Sequence, residues 1–264
     1  MKFTSSIKLY RKLRYRKGFG VHSPFTYNLI TKVIEEKTPS YVFDEIEQFR
    51  KGLSFWKETQ HKNYGALLFR LIHFFKCRNI LQIRAYTGVF SLYLSLASRK
   101  NSACYALEEN PEWLNAAKTF ARQRRLENLH WMEGDYAENL RKLKSFIPTF
   151  DLIFINQQGN AKETAKAVEL SRPFTGEKSI LIIDGIYKNK AMKTLWEKIK
   201  NLPETSVTID LFALGIVFFD KKLHKQHYKN YFDYGKKQNL YEKRRQRLYL
   251  FGWRGKDTQN ESAT

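Results

Sequence analysis

Phe150-Asp151-Leu152-Ile153-Phe154-Ile155-Asn156-Gln157 is the stretch on which the fold turns. Its apolar run, Leu152–Ile155, does not alternate with polar residues. A strand with one wet face alternates, whereas a strand buried on both faces is apolar throughout, as in a parallel sheet covered by helices. Four more runs have this character: Ile80–Ile83, Ala103–Leu107, Leu129–Met132 and Ile180–Ile183. About 18 to 25 residues separate successive runs, too many for a hairpin and suited to a helical crossover. The intervening segments carry helix signals. Asn110-Pro111 reads as a cap, Leu114, Ala117 and Ala121 share a face, and so do Met192, Leu195, Trp196, Ile199 and Leu202.

The pattern then changes. Val207–Phe212 and Ile216–Phe219 are joined only by Ala213-Leu214-Gly215, which demands a hairpin and an antiparallel last strand. The fold expected is α/β: a doubly wound, mostly parallel seven-stranded sheet with its last strand antiparallel. Upstream, residues 1–76 read as a helical extension. Ser23-Pro24 is a helix start, and Val42, Ile46, Phe49, Leu53 and Trp56 fall on one face, as do Tyr64, Leu67, Leu68, Leu71, Ile72 and Phe75. Residues 77–220 are the expected α/β core and 221–264 a basic, aromatic C-terminal extension.

Composition narrows the function classes. Two cysteines, Cys77 and Cys104, lack metal-ligand spacing and suit a reducing compartment. No stretch has signal-peptide character or the length of a membrane span, so a cytoplasmic protein is expected. The net charge is +21. It points to RNA or another anionic surface as a partner, or to a protein that is merely basic. The basic ends carry aromatics: Tyr10, Tyr15 and Phe19 in one, Tyr228, Tyr231, Phe232, Tyr234, Tyr241, Tyr249, Phe251 and Trp253 in the other. Cations among rings suit RNA, but equally a segment that packs its rings inward and leaves its charges in water.

Ligands of open α/β sheets bind at the carboxyl ends of the strands. After the first run comes Gln82-Ile83-Arg84-Ala85-Tyr86-Thr87-Gly88; after the second, Leu107-Glu108-Glu109; after the third, Glu133-Gly134-Asp135; after the fourth, Asn156; after the fifth, Asp184-Gly185. In order and spacing this series resembles the class I S-adenosylmethionine methyltransferases, and the fourth and fifth segments are similar to those of bacterial O-methyltransferases. The resemblance spans roughly residues 78–220. It implies S-adenosylmethionine as cofactor, held by the turn Gln82, Arg84, Tyr86 and Gly88, by Glu108 on the ribose hydroxyls and by Asp135 on the adenine amino group. Glu108 equally suits a surface acid beside a helix N-terminus, and Asp135 a helix N-cap.

The sequence departs from that pattern at several places. The family has an acid and a Gly-x-Gly-x-Gly turn; here Gln82 replaces the acid, and Arg84 and Tyr86 replace two glycines. Either the turn is rebuilt around the cofactor, or its side chains fill the pocket. Asn156 stands where the family has an aspartate near the transferred methyl. Asn156, Asp184 and Gly185 would be a poor set for a hard dication, so no metal is expected. Asn156, Asp184 and His22 are the candidate catalytic residues, His22 as a general base or as a turn residue beside Ser23. The implied reaction moves a methyl group to an oxygen or nitrogen of an unidentified acceptor. The alternative is a methyltransferase fold that has lost its chemistry and binds RNA or another polyanion through its basic ends.

Overall fold

A computed structural model describes residues 5–15, 17–36, 41–53, 62–98, 101–156 and 160–233. The sequence readings at Trp56, at Gln157 and in the aromatic, basic stretch 234–264 lie outside these residues.

In chain order the elements are α1 (Ser5–Arg14), α2 (Pro24–Leu29) running into a π-helical turn at Ile30–Ile34, α3 (Tyr41–Gly52), α4 (Lys62–Phe75), β1 (Asn79–Ile83), α5 (Val89–Ala97) and β2 (Ala103–Glu108). A 3-10 turn at Pro111–Leu114 leads into α6 (Asn115–Gln123), then β3 (Leu129–Glu133), α7 (Tyr136–Lys144), β4 (Leu152–Ile155) and α8 (Ala161–Ser171). β5 (Ile180–Asp184), α9 (Lys190–Lys200), β6 (Val207–Asp210), β7 (Leu214–Phe218) and β8 (Gln226–Lys229) complete the described chain. The strands form one sheet in the order β3-β2-β1-β4-β5-β7-β6-β8, with β7 antiparallel to both of its neighbours. The sheet thus has eight strands rather than seven. The extra one, β8, pairs in parallel with β6 and lies within the stretch read as an extension. Its sequence, Gln-His-Tyr-Lys, buries only Tyr228, so it lacks the continuous apolar signal that marks the inner strands. Its polar residues suit a sheet edge.

Strand alternation divides the core in two. Ile80, Phe154, Ile180 and Ile182 face α2, α3, α4 and α5; Leu81, Ile83, Ile153, Ile155 and Ile183 face α7, α8 and α9. Helices on both faces explain the unbroken apolar runs. Asp151 of the opening stretch has a structural role: its Oδ2 accepts from the amides of Arg78 and Asn79, at 2.7 and 2.9 Å, and so ties the start of β1 to β4. The chain runs outward from β1 through β2 to β3, then returns to β4 on the other side. The crevice between β1 and β4 is therefore the topological switch point, where such sheets bind ligands.

α1 docks at the same, carboxyl edge. Arg11 makes a two-pronged contact with Asp210, 2.9 and 3.2 Å, at the end of β6. The Tyr187 hydroxyl and the Phe212 amide donate to the same carboxylate, each at 2.7 Å. The hairpin link is Leu211–Ala213, two residues earlier than the sequence suggests, with Phe212 in the left-handed region at φ 81°.

Candidate functional site

The turn after β1 is the centre of the site. Arg84, Tyr86 and Gly88 have φ of 67°, 49° and 71°. Left-handed backbone costs a non-glycine residue roughly 1–2 kcal/mol, so two such residues in one turn must be held from outside. Part of the hold comes from Glu108, which is fully buried at the tip of β2. Its Oε2 accepts from the Tyr86 amide at 2.7 Å and its Oε1 from the Asn110 amide at 3.1 Å. The Ala85 amide also donates to the carbonyl of Leu107. The Arg84 guanidinium lies 2.7 Å from Glu109 and 3.7 Å from Glu108. The Tyr86 ring stacks on Trp113, with centroids 5.6 Å apart. Trp113 belongs to the 3-10 turn that Asn110 caps through the Glu112 amide.

Gly88 is the one position of the three where only glycine fits. A Cβ there would stand 2.6 Å from the Ala117 Cβ and 2.8 Å from the Trp131 ring. The turn packs against α6 and β3 just where the side chain is missing.

Gln82, Asn156 and Asp184 continue the α5-facing series on their strands, so all three occupy the same face of the sheet at its carboxyl edge. Gln82 is fully buried, and its Oε1 accepts from Ser91 of α5 at 2.7 Å. Asn156 is buried, and its amide extends the ladder by donating to Ile83. Asp184 is half-buried, and its Oδ1 accepts from the Tyr64 hydroxyl of α4 at 3.0 Å. The Tyr64 ring meets Phe90 and Phe154 edge-on, giving this side of the crevice an aromatic wall. Asp135 is exposed; it caps α7 by accepting from the Glu138 amide. Gly134 donates to the carbonyl of Glu108, which brings the tips of β2 and β3 together.

His22 stands apart. It is exposed, and Phe25, three residues on, packs edge-on against Phe218. Phe218 pairs with Ile180 at the start of β5, so the His22 turn lies toward the amino edge, away from Asp184. The reason is that α1 reaches the carboxyl edge, and the following turn carries the chain across before α2 begins. His130 is exposed on the outer strand β3 and stacks on Tyr105.

Tyr64, Ser91 and Trp113 were not singled out as site residues from the sequence. Tyr64 was visible only as one of a helical series of apolar residues, and nothing local pairs it with a carboxylate 120 positions away. Among the described residues no group of three or more His, Cys, Asp or Glu side chains is placed to hold a metal ion.

Residues 81–186 match a family model described as a methyltransferase domain. Among solved structures, the O-methyltransferase from Bacillus cereus in complex with SAH superposes with a TM-score of 0.57 at 16% identity, covering 73% of this chain and 96% of that one. The O-methyltransferase TomG from Streptomyces achromogenes, in complex with SAM, gives 0.57 at 12% identity, covering 69% and 91%. SAH-bound methyltransferase PaMTH1 from Podospora anserina gives 0.56 at 15% identity, covering 75% and 96%. No curated protein matches the chain. At these identities the likeness to solved structures establishes the fold.

Proposed function

We propose, from the premise that this chain carries a class I methyltransferase domain, that it moves a methyl group from S-adenosylmethionine to an oxygen or nitrogen of its acceptor, without a metal. One observation carries this reading. The turn after β1 keeps left-handed backbone at Arg84, Tyr86 and Gly88, the three positions where the resemblance expects glycine. A backbone strained at alternate positions and held by a buried carboxylate is a shape maintained for use, because strain of this kind gathers at ligand sites.

The side chains divide the work. Glu108 fixes the turn through the Tyr86 amide and brings an acid to the tip of β2. Gly88 keeps the turn close to α6 and β3. Asp135, beyond β3, has a second carboxylate oxygen for the adenine edge besides the one that caps α7. The sulfonium donor arrives activated, so the chain's part is mainly alignment. In this reading Asp184, whose Oδ1 accepts from the Tyr64 hydroxyl, takes a proton from the nucleophile. Asn156, at the tip of β4, is neutral, and Asp184 is then the one carboxylate among these two positions. A single carboxylate and an amide suit a metal-free reaction better than a magnesium site.

Calorimetric titration of the full chain with S-adenosylmethionine and with S-adenosylhomocysteine tests the reading. Binding of either supports it; no heat from either at millimolar concentration refutes it.

A second reading rests on the side chains that occupy the turn. The Arg84–Glu109 pair and the Tyr86–Trp113 stack are what a retired pocket would hold in place of ligand. The chain would then be a polyanion-binding module, using surfaces such as α1, where Lys12 and Arg14 are exposed beside Tyr10 and Leu13. RNA binding that weakens steeply with salt, together with a silent cofactor titration, would mark this second case.

A further inference from the structure

Two buried side chains at the switch point end in amide N–H groups that have no acceptor among the described residues. They are Nε2 of Gln82, which is 0% exposed, and Nδ2 of Asn156, which is 2% exposed. Buried donors are nearly always satisfied, and a pair of orphans at a ligand crevice points to a missing acceptor. The two belong to one place. Gln82 stands opposite Phe154, two residues before Asn156, on adjacent parallel strands. Ordinary strand spacings put their Cα atoms roughly 8 Å apart. Both side chains lie on the face covered by α5. Ser91, donating to Gln82 Oε1, fixes that amide and leaves Nε2 turned the other way.

The chemistry of the pair is selective. An ammonium brings only donors and would leave both N–H groups unmet. A carboxylate brings two acceptor oxygens and would satisfy them. Acids at these two positions, as the resemblance expects, would have the reverse preference: repelling a carboxylate and attracting a cation. The amino-acid end of the proposed cofactor carries both groups, an ammonium and a carboxylate. Arg84, the cation nearest the turn, is engaged by Glu109 and Glu108.

We propose that Gln82 and Asn156 form a neutral donor pair that holds the carboxylate of the cofactor's amino-acid end; this rests on the cofactor reading above. The site then grips the cofactor by its anionic group, at a place where the resemblance leads one to expect acids.

The test compares S-adenosylhomocysteine with 5′-methylthioadenosine, which keeps the adenosine and sulfur but lacks the amino-acid end. Calorimetry on the full chain should show S-adenosylhomocysteine binding at least about tenfold tighter, the scale of hydrogen bonds to a charged group. Gln82→Met and Asn156→Asp should each remove most of that preference while leaving 5′-methylthioadenosine within about threefold of its original Kd. Because Gln82→Met also removes the acceptor of the Ser91 hydroxyl, its stability is read in a Ser91→Ala background, where it deletes only unsatisfied groups and should melt no lower than Ser91→Ala alone without ligand. That combination, weaker binding without lost stability, is one a merely structural residue would not give. Gln82→Met buries no charge and carries the test even if Asn156→Asp does not fold. Equal binding of the two ligands by the parent, or a preference that survives the substitutions, overturns the donor pair and leaves the cofactor reading standing. Silence toward both ligands overturns the two together.

Discussion

Glu108→Gln isolates the contact that holds the site's turn in shape. The substitution keeps the volume of a fully buried side chain and changes what its two terminal atoms can accept. In the parent, Oε2 accepts from Tyr86 and Oε1 from Asn110, at 2.7 and 3.1 Å. A glutamine has one carbonyl oxygen, so one of these backbone N–H groups must face an NH2. Orphaning a buried donor costs about 1–3 kcal/mol, and hydrogen bonds to a charged acceptor exceed neutral ones by a further increment of about 1 kcal/mol. Arg84 retains Glu109, so its loss of Glu108 adds little. Relief from burying a charge works the other way. The balance is a destabilisation of about 3 kcal/mol, or a fall in melting temperature of roughly 6–12 °C for a chain of this size. Urea unfolding with an unchanged m-value, read beside calorimetric melting, measures it. Hydrogen exchange should locate the loosening at the amides of Tyr86 and Asn110. A fall of less than about 2 °C, or exchange unchanged at both amides, would refute the claim that this carboxylate is what holds the left-handed turn.

Three other outcomes are expected. Gly88→Ala should cost about 2–4 kcal/mol, from a left-handed alanine and a Cβ pressed to 2.6 Å from Ala117; a double-mutant cycle with Ala117→Gly should show favourable coupling. Arg11→Ala leaves the buried Asp210 carboxylate without its cation and should cost about 3–5 kcal/mol, measured by urea unfolding; a loss below about 1 kcal/mol would mean that α1 contributes little. Burial, and then the nearby Glu47 and Asp210, push the Tyr93 and Tyr187 hydroxyls above their ordinary range. The folded state then holds those protons longer than the unfolded chain does. Their contribution is complete below about pH 10 and is lost as the pH rises beyond it. Melting temperatures followed from pH 8 to 11 should therefore fall at the alkaline end, and less steeply in Tyr93→Phe.

Where physics is local, the sequence was transparent. Leu152–Ile155 and Ile180–Ile183 announce doubly covered strands because each residue must be apolar there, and Ser23-Pro24 and Asn110-Pro111 announce helical starts because capping is a matter of adjacent residues. The residue after each buried run was also readable, which is how Glu108, Asn156 and Asp184 could be picked out. What those residues face was not. Glu108 turns to the amide of Tyr86 and Asp184 to the hydroxyl of Tyr64, partners chosen by how β2 and α4 pack. The conformation of Arg84 was hidden for a related reason: a left-handed arginine contradicts its own preference and is imposed by surroundings remote in sequence. β8 was missed because an edge strand with one buried ring has almost no hydrophobic period to detect. The place of His22 was hidden as well, because its neighbours in the chain do not say which edge of the sheet the following helix meets.

The grip of Arg11 on Asp210 spans 199 residues of chain. A second stitch, from the Tyr231 amide to the carbonyl of Tyr15, joins the same two regions. On a ribosome adding about 5–20 residues per second, the first helix waits roughly 10–40 s before its anchoring aspartate has even been made. During that interval a cationic, partly apolar segment has no native place to settle. The sheet can begin to assemble from β1 onward without it, so the docking of α1 onto Asp210 can follow only once β6 has been made.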